Sequence, residues 1–250
     1  MTGVQTCALP ICRYLESKGI GFKTGAAIVP LVPGAILYDL GIGKRTVRPS
    51  REMGEAAASV ASDKAVTEGA VGVGTGATVG KMLGIKNAMK SGLGSWTVEL
   101  GGRNQGVMVS ALVVVNALGD IIDPATGKII AGTRTAPDSM EFANGARIMK
   151  DSSASGFVAS NTTLVAVATN AALTKVEATK VAQLAQLGVG RTINPVNTMS
   201  DGDIAIALSV GNAKAPVDAI GVAAAEAVSE SILRAVRLAP TLGGLPGLKK

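Results

Sequence analysis

The sequence contains no histidine, and this limits the chemistry that an active site could use. Its 250 residues include 24 lysines and arginines and 18 aspartates and glutamates, but no imidazole. Ser-His-Asp and Cys-His catalytic groups and histidine-based zinc sites are therefore excluded. Carboxylates, lysines, hydroxyls and a terminal amine remain as groups that can move a proton. Any enzyme built from this chain must activate its nucleophile with one of them.

Cysteines and aromatic residues are scarce as well. Cys7 and Cys12 both lie in the first dozen residues, where a disulfide, metal pair or catalytic thiol would have little scaffold around it, so we interpret them as incidental. Aromatic residues make up only 2% of the chain, whereas proteins that bind nucleic acids need stacking surfaces. The net charge is +6, but the basic residues are scattered rather than clustered. We expect no nucleic-acid partner.

Long hydrophobic runs are missing too. The longest, residues 107–122, is interrupted by Ser110, Asn116 and Asp120 and falls short of the roughly 20 residues that span a bilayer. A pair of buried strands explains it better. The opening MTGVQTCALPI has neither the basic segment nor the apolar length of a secretion signal. We therefore expect no membrane partner and a cytoplasmic location.

The first residues differ in character from the rest. Residues 1–12 look like a translated sequencing-adapter fragment, and we interpret them as a non-native leader; the alternative is a genuine flexible N-terminus. On the first interpretation, a single domain covers residues 13–250 and begins in mid-domain near Arg13.

What is present favours a layered protein. Hydrophobic residues make up 47% of the chain and glycine reaches 32, so a core of small aliphatic side chains around tight turns is expected. Residues 26–40 contain Pro30 and Pro33, which favours an edge or irregular strand. Residues 133–160 are polar and irregular, which is typical of a mobile surface linker. The periodicity predicts the remaining elements in three groups: a meander of strands at 96–100, 107–116, 120–122 and 128–131; later strands at 162–169 and 203–210; and helices at 51–65, 174–188 and 216–238.

The predicted helix at 174–188 has the clearest sequence signal for where a helix begins. Thr174 is placed to cap it, and Glu177, three residues later, completes a capping box. With strands preceded and followed by helices, the predicted class is a layered α+β sandwich.

Five stretches, taken together, resemble the L-aminopeptidase/D-esterase family, which includes β-peptidyl aminopeptidases and nylon-oligomer hydrolases. They are VPGAILYDLGIGKRTVRP, GVGTGATVGK, LVVVNALGDIIDPATGK, NTTLVAVATNAALTK and DGDIAIALS. The resemblance implies an N-terminal-nucleophile hydrolase with an αββα fold, here without its usual N-terminal part. It also implies a cut between Asn161 and Thr162 that leaves residues 13–161 and 162–250 together, a homo-oligomer, a small peptide or amide substrate, and no metal or cofactor.

The chemistry of Thr162 can be argued from the residues alone. A threonine hydroxyl needs a base, and a new α-amino group, with an ordinary pKa of about 7.7 to 8.0, would supply one on the same residue. The alternative for Asn161-Thr162-Thr163 is an ordinary passage from loop to strand, in which the hydroxyls cap backbone groups.

Four other residues are candidates for the site. Asn116 interrupts an apolar strand, where an amide is costly to bury without a partner. The resemblance implies that its side chain helps to hold the oxyanion. The alternative is a structural amide that bonds a neighbouring turn. Lys81 matches a family active-site lysine, and the alternative is a solvated surface lysine. Asp201 and Asp203 flank Gly202; the resemblance places them beside the nucleophile's amine, and the alternative is an Asp-Gly turn.

Two positions depart from the family pattern. Ile204 stands where threonine is common, and Asn197 stands where histidine is common, so the polarity of the pocket is expected to differ. The glycine-rich GVGTGATVGK is not a phosphate-binding loop, because Met82 follows Lys81. The function expected is an autoprocessing aminopeptidase or amidase. The alternatives are an inactive truncated relative, an acyltransferase and a non-catalytic binding protein.

Overall fold

The computed structural model describes residues 3–151 and 161–250 and divides the chain into two compact units. The first comprises residues up to 36 together with 44–65, and the second comprises residues 37–43 and 66–250. In the first unit, helix α1 (Gly3–Ser17) packs on helix α2 (Arg51–Ser59), and strands β1 (Phe22–Lys23) and β2 (Ile28–Val29) pair antiparallel.

The elements of the first unit are shorter than the sequence predicts. Helix α2 begins after its N-cap Ser50, whose hydroxyl accepts a hydrogen bond from the Met53 amide, but it ends at Ser59 rather than at 65. The irregular strand expected at 26–40 is limited to the two residues of β2, since Pro30 and Pro33 supply no amide hydrogen to a ladder. Helix α1 continues through Arg13, the expected boundary of the leader.

A four-stranded sheet forms the centre of the second unit. Its order is β11-β9-β6-β5, in which β5 is Leu93–Glu99, β6 Met108–Asn116, β9 Thr162–Ala171 and β11 Ile204–Ala213. β6 is antiparallel to both β5 and β9, whereas β11 is parallel to β9. The starts of β9 and β11 and the end of β6 therefore meet at one edge of the sheet.

Two long helices bury one face of this sheet. Helix α5 (Val217–Arg237) packs on β5 and β6, while helix α4 (Lys175–Thr192) packs on β11 and on α5. The capping box of Thr174 and Glu177 at the start of α4 is confirmed. Gly188 allows the two helices to approach closely, because an added Cβ there would lie 2.3 Å from the Ala225 carbonyl oxygen.

The prediction of one continuous meander is wrong after its second strand. Strands β7 (Asp120–Asp123) and β8 (Lys128–Ala131) form a separate three-stranded sheet with β10 (Ile193–Asn194). The chain leaves the large sheet after Asn116, and the Leu118 and Gly119 carbonyls accept the amides of Lys81 and Gly80. A short hairpin of β3 (Thr78–Val79) and β4 (Met89–Lys90) lies in the same unit.

The prediction of a mobile linker at 133–160 is also wrong for residues 133–151, the part that the structure describes. The Arg134 guanidinium is buried and donates to the carbonyls of Pro137, Ser139, Lys86 and Ala88. The Asp120 carboxylate accepts the amides of Thr133 and Gly145, both at 2.7 Å. These bonds hold the segment in place, and helix α3 (Gly145–Asp151) follows it. Residues 152–160 lie outside the described residues.

Two features are absent from the described ranges. No helix among them combines the length and apolarity needed to cross a membrane. No cluster of three or more acidic or cysteine side chains suited to a metal ion occurs in the same ranges.

Candidate active site

The edge where β6 ends and β9 begins brings Asn116 and Thr162 together as register partners. Thr162 is 9% exposed, and its Oγ1 donates a hydrogen bond of 2.5 Å to the carbonyl oxygen of Asn161. The hydroxyl of the predicted nucleophile therefore lies against the peptide bond predicted to be cut.

The Asn116 side chain is buried and held from several directions. Its Oδ1 accepts the Thr78 amide at 3.2 Å, the Thr78 hydroxyl at 3.3 Å and the Lys81 ammonium at 2.8 Å. Its Nδ2 donates to the Tyr38 carbonyl at 2.9 Å. These bonds compensate for burying an amide in an apolar strand and fix its orientation.

Lys81 is directed at Asn116 rather than at solvent. Its Nζ also lies 3.1 Å from the Asn116 carbonyl oxygen, and its own amide is held by Leu118. Burial lowers the pKa of Lys81 from 10.5 to about 7, although the negative charges of Asp201 and Asp39 oppose the shift. Near neutral pH the side chain is thus available both as an ammonium ion and as a free amine.

The two aspartates sit at the start of β11. Asp203 Oδ1 accepts the Thr163 amide at 2.5 Å. Burial raises the pKa of Asp203, and the negative charge of Asp201 adds to the effect. Asp201 Oδ2 accepts the amide and hydroxyl of Thr198, while its buried Oδ1 has no hydrogen-bond partner among the described residues.

The parallel register explains how these side chains are distributed. Asn161 pairs with Asp201 and Leu164 with Ile204, which places Gly202 opposite Thr162. The same register brings Asp201 and Asp203 next to Asn161 and Thr163, the two residues that flank Thr162. A Cβ added to Gly202 would lie 3.2 Å from Thr162 Oγ1, so glycine leaves room beside this hydroxyl.

The five predicted residues therefore form one connected group. Thr162 and Asn116 are register partners, Lys81 binds Asn116, and the two aspartates lie beside the residues that flank Thr162. The departures from the family pattern lie close by. Ile204 is the register partner of Leu164, and Asn197 Oδ1 accepts the Gln186 amide at 2.9 Å.

Several other residues around Asn116 and Thr78 had no clear signal in the sequence. Thr78 and Tyr38 contact Asn116 directly, and the Tyr38 contact uses a carbonyl that every residue has. Lys90 is completely buried, pairs with Thr78 in the β3–β4 hairpin, and donates to the carbonyls of Ala77 at 2.6 Å and Ser91 at 2.9 Å. Burial lowers the pKa of Lys90 to about 8. Because a lysine is ordinarily expected at the surface, the sequence did not indicate that Lys90 would be buried.

Comparisons with known proteins show the family to which the chain is similar. The model of peptidase family S58 matches residues 2–249. An uncharacterized aminopeptidase of Mycobacterium leprae is 35% identical over 259 residues, which cover 94% of this chain and 69% of the relative. A 6-aminohexanoate-oligomer endohydrolase of Kocuria sp. is 27% identical over 232 residues, which cover 86% of this chain and 64% of the relative.

A solved structure supports the fold. The L-aminopeptidase D-Ala-esterase/amidase of Ochrobactrum anthropi, described as a variant of the Ntn hydrolase fold, superposes with a TM-score of 0.65 at 22% identity. The match covers 95% of this chain and 63% of that one. The chain therefore has the N-terminal-nucleophile hydrolase fold, and it spans 63% to 69% of the length of these three proteins.

Proposed function

The chain belongs to peptidase family S58, and from this premise we propose that it is an autoprocessing aminopeptidase or amidase whose nucleophile is Thr162. The names of its relatives, an aminopeptidase and an oligomer endohydrolase, support cleavage of amide bonds. The proposed substrates are short peptides or peptide-like amides.

One observation carries the proposal: Thr162 Oγ1 is hydrogen-bonded to the carbonyl of the preceding peptide bond. In the maturation step, Oγ1 bonds to the Asn161 carbonyl carbon, the bond from that carbon to the Thr162 nitrogen breaks, and the hydroxyl proton ends on that nitrogen. Water then hydrolyses the ester, leaving a carboxylate on Asn161 and restoring the Thr162 hydroxyl.

We assign the transfer of that proton to Lys81. A pKa of about 7 leaves a large share of its amine unprotonated near neutral pH. Its bond to Asn116 links it to the register partner of Thr162.

In the mature enzyme the new α-amino group of Thr162 becomes the base. Asp201 Oδ1, which is buried and has no hydrogen-bond partner among the residues that the structure describes, is suited to accept a hydrogen bond from it, and Asp203 holds the neighbouring Thr163 amide. Asn116, fixed by its contacts, supports the oxyanion of the substrate. The threonyl ester formed with the substrate is resolved by water.

Mass spectrometry of freshly expressed protein tests the proposal. We expect a fragment that begins at Thr162 in the wild type and only intact chain in Thr162→Ala. Thr163→Ala is the matched control, because it removes the adjacent buried hydroxyl and should still allow the cut. A wild-type chain that stays intact after long incubation would contradict the proposal.

Activity and assembly need separate measurements. We expect matured protein to hydrolyse aminoacyl amides, and Thr162→Ala to have no activity on them. Product analysis with competing amines distinguishes hydrolysis from acyl transfer. Native mass spectrometry tests the proposal that both fragments stay together in a homo-oligomer.

A further inference from the structure

The carbonyl oxygen of Asn161 accepts two hydrogen bonds. One comes from Thr162 Oγ1 at 2.5 Å, and the other comes from the backbone amide of Gly202 at 2.9 Å. Under the proposed function, on which this inference rests, this carbonyl belongs to the peptide bond that is cut.

The attacking hydroxyl is close to the carbonyl carbon. A carbonyl bond is about 1.23 Å long, so an oxygen 2.5 Å from the carbonyl oxygen lies at most about 3.7 Å from the carbon, near the distance of reacting atoms. As Oγ1 attacks, it loses its proton and can no longer donate to the carbonyl oxygen. The Gly202 amide then remains as a donor to the oxygen that becomes negatively charged.

The Gly202 amide is held rigidly in this position. Asn161 pairs with Asp201 in parallel register, and this ladder directs the Gly202 amide at the Asn161 carbonyl. The bond from Thr163 to Asp203 ties the same two strands one position further along. A donor that is already in place needs no reorganisation when charge develops.

We propose that the backbone N–H of Gly202 is the oxyanion donor of the self-cleavage step. The contacts that the described residues make with the Asn116 side chain come from Thr78, Lys81 and Tyr38, and none of these contacts involves the Asn161 carbonyl. Maturation and substrate hydrolysis therefore use different donors, Gly202 for the first and Asn116 for the second.

The test compares Gly202→Ala with Gly202→Pro in freshly translated chains. Both substitutions place a Cβ near Thr162 Oγ1, but only proline lacks the N–H. We expect Gly202→Pro to mature more slowly than Gly202→Ala by about 10²-fold or more, the effect of removing one oxyanion donor. Equal maturation rates of the two variants would overturn the proposal.

Two controls separate the possible failures. Cleavage that persists in Thr162→Ala would reject the proposed function itself, whereas equal rates in the two Gly202 variants, with Thr162→Ala inert, reject only the inference. Thermal unfolding of both Gly202 variants in the Thr162→Ala background shows whether each one folds.

A second variant covers the case in which proline prevents folding. Glycolic acid in place of Gly202, introduced by chemical ligation, replaces the amide with an ester and adds neither a ring nor a Cβ. We expect the same loss of rate relative to wild type. Maturation of the ester chain at the wild-type rate would overturn the proposal.

Discussion

The rate of self-cleavage should depend on pH through Lys81. If the Lys81 amine takes the Thr162 proton, the rate falls as pH drops through about 7, because the ammonium form cannot accept a proton. The midpoint of this acid limb reports the pKa of Lys81. Substitutions that change the charge near Lys81 should therefore move the midpoint in a direction set by their sign.

Two substitutions should move the midpoint in opposite directions. Asn116→Asp places a negative oxygen where Oδ1 now lies 2.8 Å from the Lys81 ammonium. Even at the dielectric constant of water, two charges at this distance attract by about 1.5 kcal/mol, or about one pKa unit, so the midpoint rises to about 8 or above. Asp39→Asn removes a negative charge that now raises the pKa of Lys81, so the midpoint falls.

The assay follows the initial rate at which the fragment beginning at Thr162 appears, over about two pH units on either side of neutrality. Midpoints are compared rather than maximal rates, because Asn116→Asp changes contacts to Thr78 and Tyr38 as well. Asp123→Asn is the control, since it removes a carboxylate that pairs with Arg237 instead of facing Lys81. Midpoints that stay fixed, or that move the same way in both variants, would refute the assignment of Lys81.

Three further predictions concern stability and can be measured by urea unfolding. The pKa of Lys90 is about 8 in the folded protein and near 10.5 in the unfolded chain, so the unfolded chain binds more protons between these pH values and stability rises with pH there. Lys90→Met should reduce this rise. It should also destabilise the protein by about 1 to 3 kcal/mol, because buried carbonyls lose their donor. Thr174→Ala removes the capping box of α4 and should cost about 1 kcal/mol, whereas Thr179→Ala, on the exposed part of the same helix, should change stability by less than about 0.5 kcal/mol. Gly188→Ala should cost about 1 to 3 kcal/mol because its Cβ meets the backbone of α5, while Gly190→Ala, which has open space, should stabilise the helix by up to about 1 kcal/mol; equal effects at the two glycines would contradict the packing argument.

Local elements followed from local patterns in the sequence. The alternation of residues 162–169 predicted β9, and Thr174 with Glu177 predicted the start of α4, because these signals depend on neighbours within a few residues. The absence of histidine excluded imidazole as the base. The resemblance then singled out Thr162, Asn116, Lys81, Asp201 and Asp203, which the structure brings together.

Which strands pair, and how, was settled only by the tertiary structure. The sequence predicted β7 and β8 as a continuation of the meander, but they lie in another sheet, since strand periodicity gives the face of a residue and not its partner. Residues 133–151 look like a linker in sequence because the hydrogen bonds that hold them join residues far apart along the chain. Arg134 donates to the Lys86 carbonyl, and Asp120 accepts the Gly145 amide.

The sequence by itself thus determined the chemical groups of the site and the elements that carry them. The tertiary structure decided their properties. Burial, which depends on packing by distant segments, gives Lys81 its pKa of about 7 and removes Lys90 from solvent. The parallel pairing of β9 and β11 brings the Gly202 amide to the Asn161 carbonyl. Hydrogen bonding and desolvation act over a few ångströms in space, and residues that are 40 positions apart in sequence reach that distance only when the chain folds.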